Sequence, residues 1–241
     1  MKKIGLYLVI GWVGLGAQTA VRGGPPKPDM DERTLQEKYH IAANEEGLIG
    51  ALQHQDQAVR DFAAIRLAND GDKVAIRPIL DALSAEKVDG VRIIQAASAA
   101  RLGSTEGFDA LKSMCEDQTW SPTMRMVAAQ TMINVVGHQE CLADVLDVLR
   151  SQPEDHQASS MALNLLTFNR FRQIPPNQAD EIRNLCANYL KSPASELRMA
   201  AGGCIRDQGG PWAISQLRAA IDAEGEQAVR NSLEKDLLSV H

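Results

Sequence analysis

The chain has 241 residues, 44% of them hydrophobic and 23% charged, which is enough for a sizeable packed core and excludes a disordered tail. Aromatics are only 4%, and the apolar residues are mainly Ala, Leu, Ile, Val and Met, which favours helices over a β-sandwich or barrel. A net charge of −6 argues against a nucleic-acid partner.

Residues 1–20 have the order of a secretory signal peptide: Met1-Lys2-Lys3, an apolar run from Ile4 to Gly16, then Ala17-Gln18-Thr19-Ala20. Cleavage is expected after Ala17 or Ala20, and an uncleaved anchor is the alternative, although the run is short for a membrane span. No Cys follows the run, which disfavours a bacterial lipoprotein. Loss of Lys2 and Lys3 takes the net charge from −6 to −8. The expected location is periplasmic or secreted, with no membrane span in the mature chain. Gly23-Gly24-Pro25-Pro26-Lys27-Pro28 marks residues 21–30 as a linker, and 31–241 read as one helical domain.

In an oxidising compartment, Cys115, Cys141, Cys186 and Cys204 are free to form disulfides. Their separations of 26, 45 and 18 residues give neither a Cys-x-x-Cys pair nor zinc spacing. Small buried hydrophobes and a bridge both remain open; a single bridge would best join Cys186 to Cys204, on neighbouring antiparallel helices.

After a first helix from Asp31 to about Ala42, the sequence repeats. A bulky apolar residue followed by Arg recurs as Val59-Arg60, Val91-Arg92, Met124-Arg125, Leu197-Arg198 and Val229-Arg230, in steps of 32, 33, 73 and 32. The long step is two periods, and Ala158-Ser159-Ser160-Met161-Ala162 fills it without the Arg. Ala pairs follow (Ala63-Ala64, Ala96-Ala97, Ala128-Ala129, Ala200-Ala201), then a glycine stop at Gly71, Gly103, Gly137 or Gly209. Ahead of each pair lies a shorter amphipathic stretch, such as Leu48-Ile49-Leu52 or Ile214-Leu217-Ile221. The result is six copies of helix, turn, helix. One hairpin of this size cannot bury its apolar face alone, so the copies must stack. The structural arginines Arg60, Arg92, Arg125, Arg198 and Arg230 are expected to reach sideways to an adjoining copy, with Asp56 and Asp89 as partners.

The stretch Asp56-Gln57-Ala58-Val59-Arg60-Asp61-Phe62-Ala63-Ala64, and its copy from Gly90-Val91-Arg92 to Leu102-Gly103, resemble HEAT repeats, especially the short bacterial kind also seen in phycobilisome lyase-type proteins. The resemblance covers about residues 44–241 and implies an all-α, right-handed superhelix (an armadillo-like solenoid) whose concave surface binds a partner, usually protein. Copy four departs from the pattern at Ser159 and Ser160.

Enzymes on HEAT-like repeats exist, but the His-Glu ligand pairs of the iron-dependent deoxyhypusine hydroxylases are missing: His40, His54, His138 and His156 are followed by Ile, Gln, Gln and Gln. A bilin-lyase role, with a tetrapyrrole ligand, conflicts with export and stands as the alternative function. No nucleophile, zinc-protease or phosphate-loop motif is present, so no cofactor is expected. The Gly202-Gly203 pair reads as close packing, Gly209-Gly210 as a helix stop. His138-Gln139-Glu140-Cys141 groups three potential metal ligands in a turn, against the simpler reading of a solvated polar turn. Phe168-Asn169-Arg170-Phe171-Arg172 places two arginines beside two phenylalanines on an acidic chain, the composition of a binding hot spot; Phe168, Arg170, Phe171 and Arg172 are the candidate binding residues. Trp120 and Trp212 stand at helix starts and read as packing. The reading is an exported, non-enzymatic scaffold that binds another protein.

Overall fold

The computed structural model describes residues 30–151, 153–167, 174 and 176–241; the leader and nearly all of the linker lie outside this range. Among the described residues every regular element is helical. A first helix, α1 (Glu32–Tyr39), precedes six hairpins: α2 (Glu45–Ala51) with α3 (Gln57–Asp70), α4 (Ile76–Ala85) with α5 (Asp89–Arg101), α6 (Thr105–Glu116) with α7 (Pro122–Thr131), α8 (Leu142–Ser151) with α9 (His156–Leu166), α10 (Pro176–Tyr189) with α11 (Ser195–Gln208), and α12 (Gly210–Ala223) with α13 (Gln227–Leu238). The molecule is an all-helical repeat stack.

Local chemistry sets the boundaries. Asp31, Asn44, Asp56, Ser104, Ser121 and Asp155 each cap a helix by accepting a backbone N–H with the side chain. The four glycine stops all have positive φ, between 69° and 96°. Helix α1 ends earlier than its sequence suggests, because His40 adopts the left-handed conformation at φ 57°. Helix α7 runs on into a π-helical turn, Met132–Val136, whose Met132 carbonyl accepts from both Gly137 and His138.

Each second helix packs directly on the second helix of the next hairpin, from α3 through α13. Successive first helices come far less close, α8 against α10 excepted. The stack therefore closes on the second-helix side and opens on the first-helix side. The Ala pairs explain the asymmetry: Ala63, Ala64, Ala96, Ala128, Ala129 and Ala201 are buried at these contacts, and small side chains let helix axes approach.

One hairpin-to-hairpin step in which a helix meets backbone is Gly107 of α6 on α5. A Cβ there would lie 2.6 Å from Ala99 Cβ, 2.8 Å from the Ala100 nitrogen and 2.9 Å from the Ala96 carbonyl oxygen. Two of those atoms are backbone, so α5 and α6 would have to separate. Gly107→Ala is expected to destabilise by about 1–3 kcal/mol despite its gain in helix propensity. A thermal melt that rises in this variant would contradict the packing argument.

Both disulfide pairs close. Cys186 of α10 is bonded to Cys204 of α11 within a hairpin, and Cys115 of α6 to Cys141, just ahead of α8, across two hairpins. The second of these has no counterpart in the sequence reading. It clips together two first helices that have little other contact.

Candidate functional site

The repeat arginines sit at the hairpin tips and act as clamps. Arg60 donates from Nη1 to the carbonyls of His54 (2.8 Å) and Gln55 (3.1 Å) in its own turn, and from Nε and Nη2 to both oxygens of Glu86 (2.6 and 3.1 Å) in the next turn. Arg198 reproduces this at the same spacings: the carbonyls of Ser192 and Pro193, then both oxygens of Glu224 at 2.7 and 3.1 Å. Burial pushes the Glu86 carboxyl up, but the bonds from Arg60 and from the Val88 and Lys87 amides outweigh it and hold the group below its ordinary range. For Glu224 the Arg198 bond leads and the result is the same.

The other clamps are variants. Arg125 donates to the Cys115 carbonyl (2.8 Å) and to Gln118 Oε1 (2.7 Å), and reaches Asp144 and Asp147 of α8 at 3.5 and 3.4 Å. Arg230 donates to the Glu224 carbonyl in its own turn. Arg92 lies over the ring of Trp120, 4.9 Å from its centroid.

The partners expected from sequence need correction. Asp56 is the cap of α3 and accepts from the Tyr39 hydroxyl at 2.7 Å, while Asp89 approaches Arg92 only at 3.7 Å along the same helix. Asp56 serves a helix start; the clamping acids of Arg60 and Arg198 come from the following turn, 26 residues on, and those of Arg125 from α8.

Copy four has Ser159 where the other copies have their clamp arginine, yet its clamp is kept. The buried Ser159 hydroxyl stands 3.1 Å from the Tyr189 hydroxyl, and Tyr189 donates to the Leu149 carbonyl at 3.0 Å. Leu149 precedes Ser159 by the interval that separates Cys115 from Arg125, so the phenol of α10 reaches the kind of carbonyl an arginine caps in copy three.

The His138–Cys141 turn does not hold its three potential ligands ready for a metal. Cys141 is locked in the bridge to Cys115, leaving His138 Nδ1 3.3 Å from Glu140 Oε1 and its ring against Phe108. Among the described residues no three His, Cys, Asp or Glu side chains gather to hold a metal ion. Phe168, Arg170, Phe171 and Arg172 lie outside the described residues. Trp120 carries Arg92, and Trp212 lies under Arg183 at 5.7 Å. Gly202 has the tight packing its sequence suggests: a Cβ would fall 2.5 Å from Leu233 Cδ2.

With the clamps and bridges accounted for, one surface remains that sequence analysis did not resolve into residues. Counting from the clamp position, the third, fourth and seventh residues of each second helix face the interior, with few exceptions. The opposite face therefore carries the residues two before and two, five and nine after it. The column two after the clamp is Phe62, Ile94, Val127 and Met161, apolar and half-buried on four consecutive helices. Helices spaced about 8–10 Å apart make this a row about 30 Å long. Around it stand Ala58, Ile65, Asn69, Thr123, Gln130, Asn134, Gln157 and Asn164; the one charge is Arg101, which donates to Asn69 Oδ1 at 3.0 Å. The same face of α11 and α13 carries Glu196, Asp207 and Lys235 instead. Aligning the repeats by column would have found this row.

Among the described residues no helix is long and apolar enough to cross a membrane. The class of protein is thus a helical-repeat stack with clamped tips and, over its first four hairpins, a second-helix face that is nearly free of charge. No family model matches the chain, and no curated protein sequence does. Among solved structures the chain is similar to human deoxyhypusine hydroxylase in complex with glycerol, with 17% identity over 81% of this chain and 73% of that one, at a TM-score of 0.40. It is also similar to an engineered protein, with 17% identity over 81% of this chain and 95% of that one, at a TM-score of 0.47.

Proposed function

We propose that this protein is an exported, non-enzymatic scaffold of HEAT type that binds another protein along the second-helix face of its first four hairpins. The carrying observation is the row Phe62, Ile94, Val127 and Met161, set in a nearly uncharged surround on a chain that is elsewhere rich in charge. Such a surface suits a partner segment that is itself apolar and uncharged, docked in the inner curve of the stack. Export rests on the signal-like leader and fits a protein whose four cysteines are all paired. The non-enzymatic reading rests on how the reactive side chains are engaged: arginines in clamps, cysteines in bridges, His138 against Phe108.

The test uses the chain from residue 21 as bait for cross-linking and pull-down from the envelope fraction of its source. A saturable protein partner is expected. The variant Ile94→Lys/Val127→Lys should lose at least tenfold in affinity, since each lysine would have to enter the apolar interface core, at a cost of about 1–3 kcal/mol apiece. Both positions are half-buried and open to solvent, so helicity should persist. Undiminished capture by a folded variant would overturn the assignment of this face. A ligand that co-purifies with the protein, with no protein partner, would favour a small-molecule role.

A further inference from the structure

One junction of the stack is built unlike the others. Three residues after the clamp, the second helices carry Ala63, Ala128, Ala162, Ala201 and Leu233, all buried; in α5 this residue is Gln95. Gln95 is fully buried, and neither its Oε1 nor its Nε2 has a hydrogen-bond partner. The last junction shows what this column meets: Leu233 of α13 lies against Gly202 of α11. The residue of α3 that corresponds to Gly202 is Ala64. One turn earlier on that face is Asp61, whose Oδ1 is also buried and unpartnered. Ser98, one turn beyond Gln95, is buried as well. Buried polar groups occur at other junctions too, but Asp236, beside Leu233 against Gly202, is paired to Arg206 at 2.9 Å, whereas Gln95 and the Asp61 Oδ1 have no partner. The apolar core changes hands within α5: Ala99 and Leu102 join the cluster of α1 to α4 across this junction, while Ile93, Ala96 and Ala97 belong to the cluster that runs on to α13.

We propose that the α3–α5 junction is a hinge, at which α1 to α3 undock from the rest of the stack as one unit. Each unpartnered polar group weights the equilibrium toward the open state by about tenfold, because water satisfies it there. Asp61 makes the hinge sensitive to pH. Burial raises its carboxyl to about 6, against the opposing pull of a bond from Gln57 and the nearby Arg60, with Glu86 of the next turn adding to the rise. Of the remaining charges on the packed helices, Arg66 pairs with Glu32 of α1 at 3.0 Å, Arg92 of α5 lies over Trp120, and Arg101 of α5 crosses to Asn69 Oδ1 of α3 at 3.0 Å, at the far end of the contact from Asp61. A carboxyl group whose pKa is higher closed than open favours the closed state at low pH and loses that advantage as pH rises through about 6. The hinge falls between Phe62 and Ile94, so opening would part the first member of the apolar row from the second. It does not depend on what binds there.

Hydrogen–deuterium exchange of the full chain, corrected for intrinsic rates, tests this at about pH 5 and about pH 7.5. Peptides from α1 to α3 should open together, faster than those of α9 to α11, and more at the higher pH. Asp61→Asn should slow their opening about tenfold at the higher pH and remove the pH dependence. Gln95→Leu, which restores the apolar column, should slow it at both pH values. Protection of α1 to α3 equal to that of α11, or opening unchanged in Asp61→Asn, would overturn the hinge.

Discussion

Reducing both disulfides is expected to lower the stability of this protein by about 6 kcal/mol, roughly half or more of what a domain of this kind possesses. The sequence separations of 26 and 18 residues each imply about 3 kcal/mol of loop-closure entropy removed from the unfolded chain. The two bridges differ in what they hold. Cys186–Cys204 fastens a hairpin whose helices already pack on one another, so its loss leaves native contacts in place. Cys115–Cys141 joins α6 to the start of α8 on the open side of the stack, where consecutive first helices have little else between them. Urea unfolding with and without dithiothreitol measures the sum, and single Cys→Ser pairs apportion it. A midpoint unmoved by reduction would refute the estimate.

Arg125→Ala is expected to cost about 3–5 kcal/mol, the range for removing one partner of a buried ionic group. The Arg125 side chain is 2% exposed, and its loss strands the Cys115 carbonyl, the Gln118 amide oxygen and the carboxylates of Asp144 and Asp147. Burial already raises the Asp144 carboxyl, against the pull of Arg125. Without the guanidinium that group would rise further and take up a proton nearer neutral pH. Arg92, 36% exposed and resting on an aromatic face, supplies the comparison: Arg92→Ala should cost less than about 1 kcal/mol. Equal losses in the two variants, read from urea midpoints, would show that burial is not what sets the value of a clamp.

The architecture was legible because it is written locally and repeated. Val59-Arg60, the Ala pairs and Gly71 recur at a near-constant period, and the six hairpins follow from that period with the caps and stops that end each helix. The clamp partners were not legible in the same way. Glu86 and Glu224 lie in the next turn, one helix beyond the arginine, whereas Asp56 and Asp89 stand beside it in sequence and answer instead to helix caps and exposed surface. Cys115 and Cys141 face a similar difficulty, since the contact that joins them crosses from one hairpin to the next. The uncharged face was hidden for another reason. Phe62, Ile94, Val127 and Met161 look like ordinary core residues in any single copy and become a surface only when four copies are laid side by side.

The Ser159–Tyr189 contact makes copy four a different kind of part from its neighbours. Its tip is closed by a side chain that belongs to the following hairpin, so the two hairpins form an obligate pair. Copies one and five carry the arginine that caps their own turn and need from the next hairpin only a carboxylate, Glu86 or Glu224, which a like copy would supply. Copy four differs: moved alone, it would leave the Leu149 carbonyl bare and the Tyr189 hydroxyl without its place. Recombination that separates the two hairpins of residues 142–208 is therefore expected to be penalised.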